Sequence, residues 1–66
     1  MKKWEYEVIT VSPTRKGLSS VFDEDVIKKT LTLMGQNGWE LTEQIPCTRD
    51  GYLQSIICTF KRELAQ

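Results

Sequence analysis

The chain has 66 residues, of which 39% are hydrophobic and 27% charged, and this length allows one domain with a single hydrophobic core. Its nine Lys and Arg residues balance nine Asp and Glu residues, so we do not expect a nucleic-acid partner. The absence of histidine excludes Ser-His-Asp and Cys-His catalytic sites and His-ligated metal sites. We therefore expect a protein that is not an enzyme, with no catalytic residue, no metal and no cofactor.

No apolar run approaches the roughly 18 residues that span a bilayer, and Glu5 interrupts the N-terminal segment where a signal peptide would be apolar. We expect no membrane partner and a cytoplasmic location, in a bacterium or in a phage-infected bacterium. The two cysteines do not form a disulfide framework at this length. Cys58 is expected to be a small buried hydrophobic residue, and Cys47, near a loop, the more reactive thiol.

Residues 3–11 alternate in polarity and predict the first strand. We expect Trp4, Tyr6 and Val8 to face the core. The strand ends before Pro13, and the polar residues 12–20 predict a long loop.

An amphipathic helix is predicted over residues 21–35. Ser20 is the expected N-cap, with Asp23 three residues later as an imperfect capping box. The helix is expected to stop in Gly35-Gln36-Asn37-Gly38, where glycine and asparagine tolerate the left-handed conformation of a C-cap.

Two further strands are predicted over residues 39–46 and 52–61, joined by a loop, 46–51, whose tip is Asp50-Gly51, and followed by a charged tail over 62–66. With a two-residue turn, Leu41 is expected opposite Phe60, Ile45 opposite Ile56 and Glu40 opposite Lys61. The same register does not place Cys47 opposite Cys58, so no bridge is expected between them.

The element order predicts an α+β fold: a single βαββ domain over residues 1–66, with a three-stranded sheet and one helix on one face. The first two strands run in the same direction. The third strand has the most continuous apolar run and is expected at the centre, which gives the order 2-3-1. The expected core is a set of large apolar side chains: Trp4, Tyr6, Val8, Val26, Ile27, Leu31, Met34, Trp39, Leu41, Ile45, Ile56 and Phe60.

The second face of the sheet is left open by a single helix. It is expected to carry Ile9, Val11, Leu53 and Ile57, and an exposed apolar patch of this kind marks an interface. We therefore expect self-association into a homodimer or higher oligomer, through this face or an edge strand.

Three segments resemble a known family: Lys-Lys-Trp-Glu-Tyr-Glu-Val-Ile (2–9), Leu-Met-Gly-Gln-Asn-Gly-Trp-Glu-Leu (33–41) and Phe-Lys-Arg (60–62). The chain is similar to the small bacterial and phage proteins grouped as domain of unknown function 4177. Its most specific piece is the Gly-x-x-Gly-Trp-Glu-Leu signature. The resemblance implies a compact βαββ unit that tends to self-associate, and it supplies no catalytic motif. The 12–20 loop and the 46–51 hairpin depart from the commoner pattern.

A candidate binding site follows from the predicted topology, because the 12–20 loop, the start of the helix and the 46–51 loop come to one end of the sheet. Cations and hydroxyls beside free helix N–H groups suit a phosphate or another anion. The expected ligand residues are Arg15, Lys16, Gly17, Ser19, Ser20, Thr48, Arg49 and Tyr52.

The sequence leaves three functions open. The first is a non-catalytic homo-oligomer that binds a small anionic ligand, such as a signalling nucleotide, as a phage anti-defence protein would. The second is a protein-interaction module that uses the apolar sheet face or an edge strand. The third, an enzyme, would depend on Glu43, which the alternation places beside Leu41 and Ile45 in a partly buried position.

Overall fold

The computed structural model describes residues 1–65 and all of their side chains except those of Lys16, Ser19 and Ser20. The elements are β1 Trp4–Val11, β2 Thr14–Lys16, β3 Ser19–Val21, α1 Glu24–Gln36, β4 Glu40–Arg49 and β5 Tyr52–Glu63. The fold is a small α+β fold with one helix and a three-stranded antiparallel sheet. Within the described range, no helix has the length and apolar character needed to cross a bilayer.

The main sheet has the order β1-β5-β4, and β5 pairs antiparallel with both neighbours. β1 and β4 therefore run in the same direction and finish at the same end of the sheet. The strands differ from the predicted three-stranded scheme because residues 14–21, expected to lie in a loop and the first helical turn, form a separate hairpin of β2 and β3. Gly17, at φ 62°, supplies the left-handed turn between them.

The β4–β5 hairpin is longer than predicted at both ends. Its turn is Asp50-Gly51, as expected, and both residues have positive φ (53° and 81°), as a type I′ turn requires. β4 continues through Pro46, which an edge strand tolerates. β5 includes two residues of the expected tail, because Arg62 and Glu63 pair with β1.

Two irregularities shift the register between β4 and β5. Leu41 lies opposite Phe60 and Glu40 opposite Lys61, as predicted, but Ile45 lies opposite Ile57 and not opposite Ile56. The first irregularity is at Thr42, the extra residue of a bulge, whose hydroxyl donates to the Thr59 carbonyl at 3.0 Å. The prediction was wrong at Ile45 because sequence alternation alone does not reveal a bulge.

The two faces of β1 are the reverse of the prediction. Val11 lies opposite Ile56 and Ile9 opposite Cys58, and both β1 residues belong to the core under the helix. The β1 residues expected in the core, Trp4, Tyr6 and Val8, are 41%, 63% and 58% exposed. Val26, Leu41 and Ile45 were also expected there and are 43%, 38% and 43% exposed. Alternation of polarity along a strand defines two faces but does not show which of them is buried. In β1 the pairing with β5 determines the buried face.

The core is small. Its fully enclosed members are Val11, Cys58 and Phe60, which are 7%, 0% and 1% exposed. The partly buried apolar residues packed against them are Ile9, Phe22, Ile27, Leu31, Met34, Trp39 and Ile56. Cys58 is the buried hydrophobic residue that was expected, and both cysteines are free.

The helix begins later than predicted, at Glu24, because Asp23 and not Ser20 is the N-cap. The Asp23 carboxylate accepts a hydrogen bond from the backbone N–H of Asp25 at 2.9 Å, and Ser20 lies in β3. Phe22, just before the cap, and Ile27 both pack against the core, at the two positions that a hydrophobic staple joins.

The helix ends in a Schellman motif. The N–H of Gly38 donates to the Gly35 carbonyl at 3.0 Å, and the N–H of Trp39 donates to the Met34 carbonyl at 3.0 Å. Gly38 has a φ of 84°, the left-handed conformation that this motif requires after the C-cap Asn37. The turn directs Trp39 onto the same core that Met34 contacts.

Candidate functional site

The face of the main sheet away from the helix carries a group of apolar side chains, of which all but the half-buried Ile57 are exposed. We call it the open face, and its apolar residues are Trp4, Tyr6, Val8, Ile45 and Ile57. The register places them in adjacent rows, since Ile57 lies between Thr10 and Ile45, and Val8 lies beside Thr59. Ile45 is 43% exposed. Ile57 and Ile45 therefore lie side by side on two strands, and Trp4, Tyr6 and Val8 follow one another along β1.

Charged groups also lie on the open face, among its apolar residues. Lys61 lies between Tyr6 and Glu40 in the sheet, and its ammonium group sits 4.5 Å from the centre of the Trp4 ring. This cation–π contact holds the indole against the sheet. The Trp4 ring is therefore held by Lys61 and remains half-exposed.

Glu43 lies on the open face and is exposed. The bulge at Thr42 separates it from Leu41, which pairs with Phe60 on the helix side. The expected partly buried position beside Leu41 is therefore wrong.

Arg62 follows Lys61 in β5 and points to the other face of the sheet, the one that the helix covers. It connects three parts of the fold. It forms an ion pair with Glu5 of β1, and its Nη1 donates to the Asn37 carbonyl at 2.9 Å. Its guanidinium carbon lies 4.2 Å from the centre of the Trp39 ring. Arg62 thus joins β1, β5 and the end of the helix, and these are structural contacts.

The predicted anion-binding residues are divided between two hairpins. Arg15, Lys16, Ser19 and Ser20 lie in β2 and β3 with Gly17 between them, and Thr48, Arg49 and Tyr52 flank the β4–β5 turn. Both hairpins leave the main sheet at the end where β1 and β4 finish. Among the described side chains, no hydrogen bond or ion pair joins the two groups.

The helix N-terminus does not have the character expected of an anion site. Asp23, Glu24 and Asp25 place three carboxylates in and beside its first turn. These charges complement the positive end of the helix dipole and repel another anion. The binding role of the two hairpins stays a prediction, now without the support of a Ser20-capped helix end.

A shallow groove of about 590 Å³ runs along the outer side of the helix. Its lining comes from the helix alone: Asp25, Lys28, Lys29, Thr32, Leu33 and Gln36. Leu33 is 61% exposed there. One convex helix does not enclose a ligand, so we assign no function to this groove.

Sequence reasoning expected an open apolar face but assigned the wrong residues of β1 to it and placed Ile45 in the core. Ile9 and Val11 belong to the core, and the exposed set Trp4, Tyr6 and Val8 was missed. The interface role of Ile57 and Leu53 stays a prediction. The pairing of β1 with β5 indicates the correct buried face of β1. The register that places Glu5 opposite Arg62 also places Ile9 opposite Cys58 and Val11 opposite Ile56.

The fold and its contacts define a small α+β domain whose signature residues hold the structure together. The family model described as Domain of unknown function (DUF4177) matches residues 4–63, and the chain belongs to that family. No curated protein and no solved structure gives a match to this chain.

Proposed function

We propose that this chain is a non-catalytic protein-interaction module that binds its partner through the open face. The observation that carries the proposal is the group of exposed residues Trp4, Tyr6, Val8 and Ile45 on one face of the sheet. Large aromatic and aliphatic side chains in such a patch bury much surface for little entropic cost. The same face carries the charged residues Lys61, Glu40 and Glu43, and polar groups of this kind are common in protein interfaces.

The anionic-ligand function predicted from the sequence has weaker support. Its helix end carries carboxylates, and its cations lie on two hairpins that share no described hydrogen bond or ion pair. The open face, in contrast, is supported by both strand pairing and side-chain exposure. We therefore place the interaction surface first.

The proposal is tested in extracts of producing cells, by gel filtration with detection of the tagged chain. We expect the wild-type chain to elute ahead of a free monomer, and the Val8→Asp variant to elute as a monomer, because a buried unpaired carboxylate is costly at an interface. Leu33→Asp is the matched control, since Leu33 is 61% and Val8 58% exposed. Elution of the wild-type chain as a free monomer would refute the proposal.

A further inference from the structure

We propose that the outer edge of β1 binds an extended segment of a different protein, which adds a strand to the main sheet and places a basic residue beside Glu7. This goes beyond the proposed function, because the site is the backbone of one edge strand and not the open face. β1 and β4 are the two edges of the sheet, and β1 pairs with β5 on one side. Every second residue of such an edge directs its N–H and C=O groups away from the sheet.

The two edges differ in how they are protected against strand addition. β4 has a bulge at Thr42 and a proline, Pro46, in its interior, and both features hinder pairing at an edge. β1 has neither. Its eight residues pair with β5 in one unbroken register, and it contains no proline, lysine or arginine. A regular edge without these devices is a template for another strand.

The outer edge of β1 is accessible from both faces of the sheet. In the described part of the chain, β5 is the element that packs alongside β1, and the helix lies closer to β4. Tyr6 and Val8 are 63% and 58% exposed on the open face, and Glu7 is exposed on the other face. An added strand therefore meets apolar side chains on one of its faces and a carboxylate on the other.

The charges of β1 favour a basic partner strand. Glu5 forms an ion pair with Arg62, whereas Glu7 lies opposite Phe60 and forms no ion pair with any described residue. A lysine or arginine opposite Glu7 on the added strand would compensate this charge. A second copy of β1 would not, because the two antiparallel registers with the longest overlap place Glu7 opposite Glu7 or opposite Ile9.

The first experiment measures peptide binding by fluorescence anisotropy. The probe is a labelled peptide of about nine residues in which valine alternates with lysine and threonine, a length that matches one strand. We expect the wild-type chain to bind it about fivefold more tightly than the same peptide with glutamate in place of lysine. Glu7→Lys should reverse this preference. Glu43→Lys is the matched control, since Glu43 is an exposed carboxylate on the other edge strand, and it should leave the preference unchanged.

The second experiment tests whether the peptide binds as a strand. Methylation of alternate peptide nitrogens removes the N–H donors along one edge of the peptide and keeps its side chains and charge. One of the two alternating patterns should abolish binding and the other should retain it, because an added strand pairs through one edge. In an NMR titration of the backbone amides, we expect the resonances of β1 to shift and those of β4 to stay.

The outcomes that overturn the proposal are distinct. Equal affinity for the lysine and glutamate peptides, or no binding of either, refutes it. Shifts confined to β4 also refute it, because the added strand then uses the other edge. A peptide affinity that falls as the chain concentration rises would show that a second copy fills the edge. The gel-filtration test of the open face is independent of each of these results.

Discussion

Two adjacent cationic residues of β5 make different structural contacts. Lys61 and Arg62 point to opposite faces of the sheet, and each lies over a tryptophan, Trp4 and Trp39. Lys61 orders the open face, whereas Arg62 ties the helix end to β1 through Glu5. The segments that resemble the family therefore have a structural explanation.

Replacing Arg62 should destabilise the fold. Arg62→Ala removes an ion pair, a hydrogen bond to the Asn37 carbonyl and a contact with Trp39, for a loss of about 2 kcal/mol in the free energy of unfolding. Arg62→Lys should restore part of it, because lysine keeps the charge but not the planar fork. Urea denaturation measures both, and Arg49→Ala is the control expected to change stability by less than about 0.5 kcal/mol.

The two glycines of the signature should respond in opposite directions. Gly38→Ala places a side chain at φ 84° and should cost about 1–2 kcal/mol. Gly35 is helical with open space for a Cβ, so Gly35→Ala should raise stability by up to about 1 kcal/mol. Thermal denaturation measures the stability of the two variants. Equal losses of stability would contradict the Schellman assignment.

At the scale of elements, the start of the helix shows local chemistry that the sequence pattern did not resolve. Ser20 and Asp23 are both good N-cap residues, and the choice between them depends on β3. Val21 pairs with Thr14 in the small hairpin, so residues 19–21 are extended and the helix starts after Asp23. The position of the N-cap thus depends on the pairing of β2 with β3, which precede the helix in the sequence.

Removing this cap should lower stability. Asp23→Ala leaves the Asp25 N–H without its 2.9 Å acceptor and should cost about 1 kcal/mol. Asp23→Asn should retain most of the stability, because its amide oxygen accepts the same hydrogen bond. Ser20→Ala is the comparison variant, and chemical denaturation measures the stability of both. If Ser20→Ala lost as much stability as Asp23→Ala, Ser20 and not Asp23 would be the N-cap.

The helix, the α+β class and the Asp50-Gly51 turn were predictable because each depends on local pattern and turn chemistry. The burial of β1 was not, since strict alternation is symmetric between two faces. The bulge at Thr42 was missed for a related reason, as one extra residue is visible only in the pairing with Thr59. The open face was therefore predicted as a feature, but with the wrong β1 residues and without Ile45.

At the scale of the whole molecule, the chain is a half-covered sheet. The helix protects Val11, Cys58 and Phe60, and the opposite face presents Tyr6 and Val8 to solvent. Its exposed area exceeds that of a compact monomer of the same mass. That a second copy of the chain covers this face stays a prediction.

Sedimentation equilibrium of the purified chain over a range of concentrations tests this account most directly. The account predicts a single dimeric mass for the wild-type chain at micromolar concentration, and a monomeric mass for Val8→Asp under the same conditions. A wild-type chain that remains folded and monomeric throughout the concentration range would contradict it.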